Sequence, residues 1–146
     1  MRALIQRVTC ATVEVDQQVV GQIEHGLLVF VGVGKNDTLQ SSEKLLKKIL
    51  AYRVFSDDTG RMNHNVQQVS GGVLLVSQFT LMAETKKGLR PDFGPAMPPD
   101  DAKQLFAQLV EQAKSMYDKV QTGEFGADMQ VSLVNDGPVT FMLEFD

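Results

Sequence analysis

The chain has 146 residues, enough for one domain with a sizeable core and too few for two ordinary ones. Its 14 basic side chains stand against 18 acidic ones, a net charge of -4, which argues against a nucleic-acid coat protein held by a general positive field; any RNA contact has to be local. The single cysteine, Cys10, excludes an intramolecular disulfide framework and a multi-cysteine zinc site and points to a reducing compartment.

At the N-terminus, MRALIQRV carries no long apolar core of a secretion signal, and no stretch approaches the ~18 apolar residues of a membrane span. The expectation is a cytoplasmic chain with no membrane partner. Ala3 to Val8 and Ala11 to Val15 read as strands, Gln17-Gln18 as a turn, and Val19 to Ile23 as a further strand. The run GLLVFVGV, Gly26 to Val33, is continuously apolar and of strand length. From Asp37 to Phe55 the period changes. Asp37 with Gln40 three residues later predicts a helix start, and Leu39, Leu46, Ile49, Leu50 and Arg53 share one side while Glu43, Lys44, Lys47 and Lys48 take another. Phe55 to Val66 contains the turn Asp57-Asp58-Thr59-Gly60 and reads as a short hairpin or loop, after which Gly71-Gly72 opens the apolar strand Val73 to Val76.

Met82 to Pro99 carries six glycines and prolines, Gly88, Pro91, Gly94, Pro95, Pro98 and Pro99, and is predicted as a long loop, a kind of segment that often carries function. A second helix follows Pro98-Pro99-Asp100, with Ala102, Leu105, Phe106, Leu109, Val110, Ala113 and Met116 at spacings of three and four, and Gln121-Thr122-Gly123 ends it. Ala127 to Val134 and Val139 to Phe145 return to strand, separated by Asn135-Asp136-Gly137-Pro138, which reads as a break because proline lacks the N–H and glycine has no side chain to pack. This order predicts one α+β domain: a mixed or largely antiparallel sheet, curled and barrel-like, covered by two main helices.

Few residues offer chemistry. At the end of the strand that leads into the long loop, SQFTL gathers Ser77, Gln78 and Thr80. The backbone N–H groups of Gln78, Phe79 and Thr80, with the hydroxyls of Ser77 and Thr80, can surround an acyl carbonyl and stabilise charge on its oxygen. Serine and threonine also satisfy strand-end backbone groups where no site exists, and composition alone favours that plainer reading. A hydroxyl nucleophile needs a base, and the two histidines, His25 in EHG and His64 in NHN, read as loop residues. There is no HExxH, GxGxxG or GxxxxGK[ST], and DDTG lacks the calcium-loop spacing. Cys10 reads as a small thiol without a base. Lys86, Lys87 and Arg90 fall within five positions of the loop ETKKGLRPDF, either a local phosphate-contacting patch or an ordinary solvated loop. Arg7 is either a surface residue or a buried orienter.

Taken together and in this order, MRALIQRV, FSDDTGRMN, SQFTL, KKGLRPDF and NDGPVTF resemble the D-aminoacyl-tRNA deacylase family over Met1 to Phe145. The resemblance implies an enzyme whose single deacylase domain spans residues 1–146. It implies a homodimer with active sites at the subunit interface, acting without metal or cofactor on the 3′ acceptor end of aminoacylated tRNA and cleaving the ester between a D-amino acid and the terminal adenosine. Ser77, Gln78, Phe79 and Thr80 are then the catalytic segment. Gly137 and Pro138 become a Gly-cis-Pro element, inserted into the other subunit's site, whose two carbonyls receive the substrate ammonium. An L side chain would be driven into that backbone, so chirality is selected by clash; achiral glycine fits, and glycyl-tRNA is an expected substrate. Arg7 is then a support holding the neighbouring subunit's Gly-Pro element, and Lys86, Lys87 and Arg90 meet acceptor-stem phosphates. Two mechanisms stay open: Thr80 as nucleophile through an acyl-enzyme, or the ribose 2′-hydroxyl assisting water, the second favoured by the lack of a nearby side-chain base. A reading of another class is a non-catalytic RNA-binding module using the same basic loop.

Overall fold

The computed structural model describes residues 1–145, and its frame is one long strand, β1 (Arg2–Val15). On one edge β1 pairs antiparallel first with β3 (Gly26–Gly32), from Arg2↔Gly32 to Val8↔Gly26, and further along with β2 (Gln18–Ile23), from Ala11↔Ile23 to Val15↔Gln18. Beyond β3 the sheet continues in parallel through β6 (Gly72–Ser77) and β7 (Val120–Thr122), and the other edge of β1 carries β8 (Gln130–Glu144). The sheet is therefore mixed. It is also curled, because β2 comes round against β7: a methyl added at Gly21 would collide with the Thr122 carbonyl. Two strands lie apart in a small hairpin, β4 (Phe55–Ser56) and β5 (Met62–His64).

Both faces of the sheet are covered at β3 and β6, which explains the unbroken apolar runs of these two strands. Leu27, Val29, Val31, Val73 and Leu75 point to the helices α1 (Leu39–Ala51) and α2 (Pro99–Met116), joining Leu45, Ile49, Phe106 and Leu109 in the larger core. Leu28, Leu74 and Val76 point inside the curl, to Val8, Ala11, Val13 and Ile23. β1 changes core partway along. Ala3 and Ile5 face the helices whereas Ala11 and Val13 face the curl, and the switch falls where its register with β8 is irregular, between Gln6 and Cys10. No described helix is long and apolar enough to cross a membrane.

Several elements differ from the sequence reading. The cap of α1 is Thr38, whose hydroxyl accepts from the Ser41 N–H in a capping box with Ser41; Asp37 instead binds the Met1 ammonium at 2.8 Å and the Gly34 N–H at 2.6 Å. The buried face of α1 is Ser42, Leu45, Leu46, Ile49 and Leu50, with Leu39 exposed. Gln121 and Thr122, expected with Gly123 to end the second helix, belong to the strand β7, because three consecutive residues, Val120 to Thr122, find partners on β6. Asn135 to Pro138 does not end a strand: β8 runs through it, with the break taken up as a local excursion.

Candidate active site

The SQFTL segment begins where β6 stops. Ser77 is the last strand residue, and the Gln78 N–H donates to the Val31 carbonyl at 2.8 Å, which fixes the end of β6 against the end of β3. Phe79–Met82 then forms a single 3₁₀ turn, closed by Leu81 N–H to Gln78 O at 3.2 Å. The N–H groups of Phe79 and Thr80 precede that first internal hydrogen bond, so the turn offers them outward. The expected set of three donors is thereby reduced, since the Gln78 N–H is already used. The Gln78 side-chain amide donates instead to the Thr80 hydroxyl, turning that hydroxyl toward a fixed direction. From behind, the Arg2 guanidinium donates to the Leu81 carbonyl at 2.8 Å and ties the turn to β1.

In front of the turn lies a cleft of about 650 Å³. Ser77, Gln78 and Phe79 form part of its wall, Phe30, Val76 and Val131 its floor, Phe93 and Met97 one side, and Phe125 to Met129 the other. Phe79 is 57 % exposed, although its ring packs against Phe93 with centroids 5.0 Å apart. The segment Phe125 to Met129 was not legible as part of the site. Its only local sign is Gly126, at φ +75°. Among the described residues, Asp128 is the one ionisable side chain on the cleft wall. Neither histidine is there: His25 packs edge-on to Phe55 at 5.1 Å, and His64 faces Phe55 across the β4–β5 hairpin. Among the described residues no group of His, Cys, Asp and Glu could hold a metal ion.

The basic residues sit on a separate finger. Glu84 and Asp92 bridge at its base, with Glu84 N–H to Asp92 O at 2.7 Å and the reverse bond at 3.1 Å, and Gly88 turns its tip at φ +73°. Lys86, Lys87 and Arg90 are all exposed on it, outside the cleft wall. At the finger's foot Phe93 enters the cleft, and Met97 N–H to Val33 O at 3.0 Å fastens the returning chain to the end of β3.

Gly137 and Pro138, joined by a cis peptide, are exposed and do not line the cleft of their own chain. Arg7 lies beneath them. Its Nε donates to the Asp136 carbonyl at 3.1 Å and its Nη1 to the Val54 carbonyl at 2.8 Å. Within its own chain Arg7 thus holds the root of the Gly137-Pro138 segment. Cys10 is exposed on β1.

Comparison with known proteins gives a consistent picture. The family model described as D-Tyr-tRNA(Tyr) deacylase matches residues 4–144. A D-aminoacyl-tRNA deacylase of Acinetobacter baumannii (strain ACICU) is 66% identical over 146 residues, covering 100% of this chain and 99% of the relative, and one of Psychrobacter sp. (strain PRwf-1) is 60% identical over 144 residues, 99% of each. Among solved structures, a c-Myc DNA Unwinding Element Binding Protein superposes with a TM-score of 0.96 at 40% identity, over 100% of this chain and 99% of the other. A probable eukaryotic D-amino acid tRNA deacylase, at 15% identity, shares the fold with a TM-score of 0.86 over 97% of each chain.

Proposed function

The chain belongs to the D-Tyr-tRNA(Tyr) deacylase family, and from this membership together with the geometry of the cleft we infer that it hydrolyses the ester of D-aminoacyl-tRNA, releasing the D-amino acid and tRNA. The observation that carries the chemistry is the 3₁₀ turn at the cleft wall, which offers the Phe79 and Thr80 N–H groups with no acceptor inside the turn. Two such donors suit an ester oxygen that becomes negative as water adds to the carbonyl carbon. The bond to the ribose oxygen then breaks, and the proton lost by water ends on that oxygen.

No histidine lines the cleft to activate Thr80, and the Thr80 hydroxyl already receives the Gln78 amide. The reading supported is therefore that Ser77, Gln78, Phe79 and Thr80 position the carbonyl while the neighbouring 2′-hydroxyl of the terminal adenosine assists water. Chiral selection falls to Gly137 and Pro138 of a second copy in a homodimer. What favours this is that the pair is exposed and lies off its own cleft, so it is free to enter another. On this reading an L side chain meets the inserted backbone, and glycyl-tRNA is accepted. On the same reading Lys86, Lys87 and Arg90, exposed on the finger, meet acceptor-stem phosphates.

Two substitutions test the mechanism. Thr80→Ala removes one neutral hydrogen bond, so kcat/KM for D-tyrosyl-tRNA should fall by roughly tenfold at most; a loss of many thousandfold, or a trapped acyl-enzyme, makes Thr80 the nucleophile. Replacing the terminal 2′-hydroxyl by hydrogen should abolish most turnover, and full activity on that substrate overturns the RNA-assisted route. Many turnovers per protein at low enzyme concentration exclude a non-catalytic RNA-binding module.

A further inference from the structure

The register of β8 on β1 has a gap that the function above leaves unexplained. Gln6 pairs with Thr140 and Val8 with Asn135, so the single residue Arg7 stands opposite four residues, Asp136 to Val139. Three residues too many have to leave the sheet, and Gly137 and Pro138 are their exposed crest. A crest on an extended strand has no reason to hold one direction unless both of its limbs are fastened.

Both are. On the near limb Arg7 donates to the Asp136 carbonyl at 3.1 Å. On the far limb one side chain makes two bonds: the Asn135 amide donates to the Thr140 hydroxyl at 2.8 Å, and its carbonyl accepts the Val139 N–H at 2.9 Å. Asn135 therefore spans the foot of the excursion from its first side to its last. The Val139 side chain, 8 % exposed, anchors the same limb in the larger core. An amide is suited to the task because it carries a donor and an acceptor on one short, planar group.

We propose that Asn135 and Thr140 are positioning residues for chiral selection, closing the excursion so that the backbone of Gly137 and Pro138 is presented in one direction. This rests on the reading that Gly137 and Pro138 select the substrate's handedness. Neither residue needs to touch the substrate; each acts through the crest.

The test compares kcat/KM for D-tyrosyl- and L-tyrosyl-tRNA in Asn135→Ala, Thr140→Val and Thr140→Ser, with Gly137→Ala alongside and with thermal denaturation of each. Thr140→Val loses one of the two bonds and should lower the D over L ratio by about tenfold; Asn135→Ala loses both and should lower it by up to about a hundredfold. Thr140→Ser keeps the hydroxyl and should recover most of what Thr140→Val loses. A merely structural role would lower the melting temperature and leave the ratio alone. If Gly137→Ala changes the ratio while Thr140→Val and Asn135→Ala do not, the clamp is wrong and the chiral reading stands. If none of the variants changes it, the chiral reading fails and takes the clamp with it. Should Asn135→Ala fail to fold, the Thr140 pair decides between these outcomes by itself.

Discussion

Gly137 shows how one residue can be constrained from several sides at once. Its φ of +134° lies where L side chains rarely go, and a methyl built there would be 2.8 Å from Val139 Cγ2 and 3.1 Å from Arg7 Nη2. A contact with Arg7, 130 positions earlier in the chain, leaves no local trace in the sequence. Both stability and activity are therefore expected to suffer in Gly137→Ala. The backbone conformation costs about 1–3 kcal/mol for a non-glycine residue, and a displaced guanidinium releases the Asp136 carbonyl. The shared contact makes a second, sharper expectation. Once Arg7→Ala has removed the guanidinium, part of the clash is gone, so the double variant should be less destabilised than the sum of the two single ones. Thermal denaturation of the four proteins measures this. Strict additivity would mean that the methyl is accommodated without touching Arg7.

Among the elements, the β4–β5 hairpin is held chiefly by one carboxylate. Asp57 Oδ1 accepts from the Thr59 hydroxyl at 2.6 Å, the Thr59 N–H at 2.8 Å and the Arg61 N–H at 3.1 Å, and Oδ2 accepts from the Asn63 amide at 2.8 Å. The Thr59 hydroxyl, then the Asn63 amide, hold this carboxyl far below the usual aspartate range. A depressed folded value means that the stabilisation is complete above the ordinary value of 3.8 and is lost as pH falls below it toward the folded one. The melting-temperature gap between the unsubstituted chain and Asp57→Ala should thus be constant near neutral pH and narrow from about pH 4 to about pH 2; a gap that does not change with acid removes Asp57 from this role. DDTG was legible as a turn because Asp, Thr and Gly mark turns by their own local bonds. The apolar runs of β3 and β6 and the periodic faces of both helices were legible for a similar reason, each being written in neighbouring residues. What escaped depends on distant partners. Val120–Thr122 is a strand only because β6 lies beside it, and Asp37 gives up the helix cap to Thr38 only because the Met1 ammonium takes its carboxylate. Asn135 to Pro138 looks like an end of pairing, yet β1 resumes the ladder on the other side of it. In the site, SQFTL was legible as a segment, while the loss of Gln78 N–H to Val31 and the wall from Phe125 to Met129 were not, since both are set by how the curl closes.

For the whole molecule, the separation of the two proposed halves of the site is the decisive feature. Ser77, Gln78 and Phe79 line a cleft between the sheet end, the returning loop and the turn before β8, whereas Gly137 and Pro138 crest the far edge of β1, off that cleft. In a two-fold dimer the same patch is presented by both copies, so if the crest of one copy enters the cleft of the other, two equivalent sites arise together. Each site then needs one intact crest and one intact cleft from different chains. Phe79→Pro supplies a variant defective in the cleft alone: it deletes one N–H donor, and proline is tolerated at the first position of a helical turn, where the N–H has no partner inside the turn. Gly137→Ala supplies one defective at the crest, off the cleft, at the temperature where both variants are verified as folded. Each variant by itself should be nearly inactive, since both of its sites lack one part. In a heterodimer of the two, isolated with distinct tags after co-expression, the cleft of the Gly137→Ala chain meets the unaltered crest of the Phe79→Pro chain, and one site is whole while the other carries both defects. The heterodimer should therefore recover about half of the unsubstituted D-tyrosyl-tRNA turnover. If crest and cleft worked within one chain, every site in that heterodimer would keep one defect and nothing would be recovered, so an inactive but verified heterodimer eliminates the cross-subunit arrangement.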